Sequence, residues 1–421
     1  MPGAQPIIAP DSRANLIENI NVSSLYLSRP LMPWVGENKA SVAAFCLLFI
    51  LAVSLPPKWS SLHLAGLVLV LAVGLARRED WRSAAMRTYL FVTALWLVPV
   101  VVTGAIQHAL GIATAPDWST LPLLVLRMLG IGLGLIVLLQ RGYLTTQSAI
   151  FALLCALSIH AGAGLVDLFT TSGANLMTWR EIRINGLVFN PNPFGMFMAL
   201  AAILCAGLLR GQPRRPALWA LLIAALLCVW ASGSRGAFLT VAAGMIVLFP
   251  PVTRTRLLAY LAGLVLAAAS YLYLDSAVQT GTMQSDSIRM QIIAFSLEQI
   301  QRSPWIGWGV GAYENLPGRV TNAPHNMWLD LAISSGVITL AGAIAATLLL
   351  AYRLYRLGGS KGQLALALFA ATLLAGTIEY SIVDSTHFRG VWVLVTALAC
   401  HALNSAHATR LPPALEPSPQ R

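Results

Sequence analysis

Five side chains suited to phosphate chemistry are spread through a chain that carries little charge elsewhere: Arg180, Arg183, Arg235, Arg289 and His325. Arg180 and Arg183 flank Glu181 in WREIRINGLVFNPNPFG, and Arg235 follows Ser232, Gly233 and Ser234. Arg289 lies in the long polar interval 275–336, and His325 stands in NAPHNMWLDL near its end. A guanidinium presents a planar fork of donors that matches phosphate oxygens two at a time. A neutral imidazole at a helix entrance can take the proton of a hydroxyl. Asn190 and Asn192, in the NPNP run, open a helix whose Asn side chains and free backbone N–H groups can hold a phosphate or a sugar. Asn326, beside His325, belongs with these substrate-binding candidates. Arg127 differs, because it sits several residues inside an apolar run, where a charge costs roughly 2.5–3.5 kcal/mol and needs water, a partner or a ligand.

Each of these has an ordinary reading as well. A local Arg/Glu pair in a solvated loop accounts for 180–183, an interfacial charge for Arg235, a solvent-facing charge for Arg289 and a hydrogen-bonded structural residue for His325. Snorkelling toward the interface accounts for Arg127.

The elements that must position these residues are apolar helices. The chain is 57% hydrophobic and only 10% charged, against about 25% charge in a soluble domain. At about 20 apolar residues per span, helices fall near 40–56, 61–76, 88–106, 121–140, 146–169, 188–209, 217–232, 236–251, 257–274, 326–350, 363–382 and 388–404. The expectation is an all-α integral membrane protein of about twelve transmembrane helices, with a large loop between the ninth and tenth. Residues 1–39 form an N-terminal tail without the apolar core and cleavage site of a signal peptide, so the first span is expected to direct insertion. Residues 40–404 form one polytopic domain that includes the loop 275–325, and 405–421 form a C-terminal tail.

Arginines cluster in alternate short loops, after the second, sixth, eighth and tenth spans, which predicts that these loops and both termini are cytoplasmic. The opposite loops then carry the candidate residues on the outer face. Ile288, Ile292 and Phe295, with Ile293, Leu297 and Ile300 on an adjoining stripe, predict an amphipathic helix over 285–301. That helix either lies on the membrane, with Trp305 and Trp308 at headgroup level, or packs on the protein's own spans.

Several classes are disfavoured. The net charge of +11 suits the topology of a membrane protein better than nucleic-acid binding, since no basic run alternates with aromatics. All five cysteines lie in apolar runs at spacings that fit neither a zinc site nor a disulfide framework. There is no phosphate loop with Lys-Ser/Thr, no H-E-x-x-H and no G-x-S-x-G. No cofactor and no Mg²⁺ or Mn²⁺ requirement is expected. Glu379, Asp384, Asp330 and Asp167 fall toward outer helix ends, where any of them can orient His325 or pair with an arginine. His160 and His387 read as packing or polar-network residues.

RINGLVFNPNPFG after the fifth span, SGSRGAF after the seventh, Arg289 with the turn SPWIGWGVGAY, and PHNMWLDLAISSG leading into the tenth together resemble the O-antigen ligase and polymerase family. The likeness covers roughly 180–336, and the order and sidedness of the elements are more specific than any one motif. It implies a glycosyltransferase of the GT-C type in the bacterial inner membrane, acting on the periplasmic face without a nucleotide sugar. Ligases of this kind move polysaccharide from undecaprenyl diphosphate to lipid A–core. The family's arginine after the fifth span maps onto Arg183, with Arg180 as companion; its loop arginine maps onto Arg289 and its histidine onto His325. A polymerase or a protein O-oligosaccharyltransferase of the same family shares these motifs. A transporter is the alternative from another class, and it should show charges and broken helices near the midplane.

Overall fold

Asn190 followed by Pro191, Ser234 followed by Arg235, and Asn326 followed by Met327 are helix starts written in the sequence, and each opens a helix that carries the candidate site. The computed structural model describes residues 74–112, 120–171, 183–188, 190–250, 282–321, 323–379 and 386–408. Among them run ten long helices and no strand: α1 (Ala84–Ala109), α2 (Thr120–Gln140), α3 (Thr146–Thr171), α4 (Pro191–Gly211), α5 (Pro216–Ala231), α6 (Arg235–Leu248), α7 (Thr282–Arg302), α8 (Met327–Leu357), α9 (Gly359–Ile378) and α10 (Thr386–Ala408). Nine of these occupy positions where apolar runs predict a span. The expected spans at 40–56 and 257–274, and nearly all of 61–76, lie outside the described residues.

Five of the described helices are long and apolar enough to cross a membrane: Ala84–Ala109, Thr146–Thr170, Pro191–Gly211, Met327–Leu357 and Gly359–Ile378. The chain is a multi-pass membrane protein. The expected spans 217–232 and 236–251 are present as helices, but α5 and α6 have 16 and 14 residues. At 1.5 Å per residue they reach only about 24 and 21 Å, short of a hydrocarbon layer of about 30 Å.

Hydrogen bonds mark one end of the bundle. Arg353 at the foot of α8 donates to Thr88 Oγ1 at the start of α1 (2.8 Å). Arg141 after α2 binds Asp80 Oδ2 through Nε and Nη2 (2.8 and 2.6 Å). Arg210 closes α4 by donating to Leu248 O of α6 and Gln363 Oε1 of α9 (both 2.7 Å). Arg77, Arg78, Arg82, Arg87, Arg214, Arg215 and Arg356 lie at this same basic end. At the opposite end meet the connection into α4, the α5–α6 turn, the start of α8 and the last turn of α9.

The most buried helix is α4, which α3, α5, α6 and α9 surround. A Cβ on Gly195 would lie 2.5 Å from Ser232 Oγ and 3.0 Å from Ser234 Cβ, so the α5–α6 turn seats one helical turn in from the start of α4. That places it about 6 Å below Pro191, as the floor of a recess.

α8 is not straight. Gly336 has φ 81° and ψ 173°, a non-helical conformation inside the helix. Met327 packs against Gly376 of α9, and α8 and α9 share the turn at Gly358. From that turn α9 climbs about 26 Å to Gly376, whereas a straight α8 would need about 45 Å to Met327. The surplus is taken up at Gly336, so 327–335 runs across the end of the bundle and 337–357 down through it.

The break leaves backbone groups that a membrane interior cannot solvate. The turn after α7 takes them up: Trp308 N donates to Ile333 O (2.7 Å), Gly309 N to Ser334 O (3.0 Å), and Val337 N to Pro304 O (2.8 Å). Gln107, fully buried at the end of α1, donates through Nε2 to Ser334 O (3.0 Å) and to Ile306 O. Gln107→Leu should therefore lower stability by about 1 kcal/mol, as Ile306 O loses its donor while Ser334 O keeps Gly309 N. Thermal unfolding in detergent measures it; an unchanged midpoint would remove Gln107 from this account.

α7 packs one face of the amphipathic helix on the protein's own helices, the second of the two alternatives. Ile292, Ser296 and Gln299 are buried, with Phe295 edge-on to Tyr313 at 5.7 Å and Ile300 against the small cluster of Tyr313, Leu316 and Ile333. Met290, Ile293, Leu297 and Trp305 remain exposed on the adjoining face. Trp308 does not serve as a free interfacial anchor, because its Nε1 donates to Gln299 O (2.9 Å) and its ring packs in the cluster.

Candidate active site

Arg183 is positioned by backbone contacts on both sides. Asp167, near the end of α3, accepts from Asn185 N (3.0 Å) and Gly186 N (3.4 Å), and Ile184 N donates to Ala231 O at the end of α5 (3.4 Å). Arg183 Nε then donates to Ser232 O (2.8 Å), and Nη2 donates to Asn192 Oδ1. Gly233 turns with φ 61° directly beneath, and a Cβ there would lie 3.4 Å from Arg183 Nε. Arg235 is the first residue of α6, two positions beyond. SGSR is thus a turn that both starts a helix and carries a guanidinium.

Asn192, on the first turn of α4, passes the contact on. Its Nδ2 donates to Glu379 Oε1 (2.6 Å). Glu379 caps the C-terminus of α9 and has only 8% of its side chain exposed; its Oε2 accepts from Arg289 Nη2 on α7 (2.9 Å). His325 Nδ1 stands 3.9 Å from Glu379 Oε1, close enough for attraction but beyond a hydrogen bond. Three helices and a loop, far apart in sequence, thus converge on one buried carboxylate. Arg289 and His325 have 37% and 44% of their side chains exposed, so a ligand can reach them from outside.

His325 adopts φ 49°, and it is the non-glycine residue with positive φ among the described residues. The next residue begins α8: Asn326 Oδ1 accepts from Trp328 N (2.9 Å) and Leu329 N (3.1 Å). Asn326 Nδ2 donates to Thr377 O (2.7 Å), and Trp328 Nε1 to Thr377 Oγ1 (2.9 Å). The start of α8 is thereby tied to the end of α9, next to Glu379.

The sequence-derived candidates sort as follows. Arg183, Asn192, Arg289 and His325 join in one network through Glu379. Asn190 and Asn326 spend their side-chain oxygens on helix caps, Asn190 accepting from Asn192 N (3.0 Å). Arg180 lies outside the described residues, as does the side chain of Arg127 on α2. Of the four carboxylates considered, Asp167 holds the Arg183 loop. Asp330 is buried one turn into α8, where Ser334 Oγ donates to it at 3.4 Å, and Asp384 lies outside the described residues. His160 is fully buried with its ring 5.8 Å from that of Phe197; the side chain of His387 lies outside the described residues. Burial pushes the Tyr313 phenol above its ordinary value, so it packs beneath the loop as a neutral ring. Sequence reasoning missed Gln107, although a Gln near the end of an apolar span is a signal in itself.

The arrangement is that of a membrane protein, helical among the described residues, that gathers Arg183, Arg235, Arg289 and a partly exposed imidazole at one end. The O-antigen ligase family model matches residues 220–344, from within α5 to the middle of α8, and over that segment the chain is similar to this family. The match contains Arg235, Arg289 and His325; Arg183 and Glu379 join them from outside it. No curated protein matches the chain.

Proposed function

We propose that this protein is an O-antigen ligase of the inner membrane, transferring polysaccharide from undecaprenyl diphosphate to lipid A–core on the periplasmic side. The observation that carries the proposal is the convergence of Arg183, Arg289 and His325 at the end opposite the basic loops, which the distribution of arginines assigns to the cytoplasm. Arg183 and Arg289, with Arg235 nearby, hold the donor diphosphate and stabilise the charge that grows on it as the glycosidic C–O bond breaks. The electron pair of that bond goes to the phosphate oxygen. The acceptor hydroxyl attacks the anomeric carbon and gives its proton to His325, a contribution of roughly 10²- to 10⁴-fold. Diphosphate leaves readily, so the donor needs no second acid, and direct attack inverts the anomeric centre.

The break in α8 is the feature that favours a transporter, since discontinuous helices carry ion sites in such proteins. Here, however, the chain's own backbone fills the break, and the charged network sits at the helix ends. Purified protein in detergent, given lipid-linked polysaccharide, lipid A–core and EDTA, should move the polymer onto lipid A–core on a gel. Growth of the lipid-linked chain instead would make it a polymerase. No transfer to lipid A–core, protein or a growing chain would defeat the enzymatic reading.

A further inference from the structure

Glu379 is the shared partner of the network, and its two oxygens are committed unequally. Oε2 accepts from Arg289 at 2.9 Å and Oε1 from Asn192 at 2.6 Å, while His325 Nδ1 stands 3.9 Å away. An imidazole that accepts a proton at Nε2 is held in the right tautomer, and its developing charge is stabilised, by a carboxylate accepting from Nδ1–H. Here that carboxylate is in place, but Arg289 holds it through Oε2 while Asn192 donates to Oε1, the oxygen that faces Nδ1; freed of Arg289, the carboxylate can turn to close the remaining gap to Nδ1. A diphosphate is a doubly or more highly charged anion with more oxygens to offer, and it competes with Glu379 for the same Arg289.

We infer that Glu379 is a positioning residue that couples the donor to the base: a diphosphate drawing Arg289 away releases the carboxylate to hold His325. This rests on the ligase reading of the site. The exchange needs little movement, because Arg289 is partly exposed and α7 meets the rest of the protein through one face. It gives the reaction an order, with the imidazole becoming competent to deprotonate a hydroxyl once a lipid diphosphate is bound. Water or a sugar hydroxyl arriving first meets a histidine without its partner.

The two halves of the exchange have opposite signs in one variant. Glu379→Gln removes the charge that competes for Arg289 and keeps side-chain length and an oxygen acceptor. Its affinity for undecaprenyl diphosphate in detergent, read by tryptophan fluorescence, should rise about three- to tenfold, as expected for losing a nearby like charge. Its kcat for transfer should fall about 10²-fold, with KM for the donor unchanged or lower. Glu379→Asp, which keeps the charge, should return affinity to that of the natural protein and recover part of kcat. If Glu379→Gln instead binds undecaprenyl diphosphate more weakly, in step with its loss of turnover, Glu379 is only a structural tie and the coupling is wrong. If the natural protein fails to bind undecaprenyl diphosphate at all, the arginine clamp fails, and the ligase reading falls with it.

Discussion

His325→Asn should leave the protein folded in the membrane and reduce transfer by about 10²- to 10⁴-fold, the usual contribution of a general base. Asparagine is a better test than alanine, because position 325 has φ 49°. A β-carbon in that region costs roughly 1–2 kcal/mol for most residues, while Asn visits it readily. An alanine variant therefore mixes chemistry with strain just ahead of the Asn326 cap; an asparagine variant isolates the lost base. Arg289→Ala should give a loss of similar size through another route, since it removes a guanidinium from the developing charge and leaves Glu379 with one strong partner fewer. The gel assay for polymer on lipid A–core, with protein level and thermal midpoint as controls, checks both. Transfer by His325→Asn at the natural rate would remove the histidine from the mechanism.

Gly336→Ala should be the most damaging change outside the site. A Cβ there would lie 2.1 Å from Trp305 O, 2.4 Å from Trp305 C and 2.9 Å from Ile306 N. These are backbone atoms, which cannot swing aside as a flexible side chain can. The backbone is also in a region that only glycine occupies without strain of about 1–3 kcal/mol. Accommodating the methyl means withdrawing the turn after α7 from the break, which exposes the carbonyls of Ile333 and Ser334. We expect at least about 4 kcal/mol of destabilisation and loss of transfer, although Gly336 touches none of the candidate residues. A thermal midpoint within a degree of the natural protein would show that the break closes in some other way.

Apolar run length revealed the helices, because each described apolar run of adequate length is a helix. It could not reveal how helices lie across one another. WIGWGVG and ISSG each advertise small residues and close approach, yet they are separated by α7's sequel and the His325 loop, and nothing local says that one plugs the other. Apolarity placed 217–232 within one residue of α5 but overstated 236–251, since an apolar run continues past the point where α6 stops at Leu248. At the site, residue type was informative: an arginine after the fifth apolar run, one on the loop helix and a histidine at a helix mouth pointed to Arg183, Arg289 and His325, which the structure brings together around Glu379. The choice of Glu379 over Asp167 and Asp330 depended on lateral packing of α9 against α4 and α8. Asn190 and Asn326 were legible as helix starts from the same residues that made them seem binding candidates, and the cap competes for the oxygen a ligand would use.

The shortness of α5 and α6 bears on the bilayer itself. Trp219, Ile223 and Leu227 on α5, and Phe238, Leu239 and Ile246 on α6, are exposed, so this pair presents an apolar belt to lipid that is about 6–9 Å shorter than the hydrocarbon layer. Such a mismatch is met by local thinning of the membrane, at a modest cost per ångström. Thinning on the side of the α5–α6 turn would bring the headgroup plane down toward Arg235, the first residue of α6.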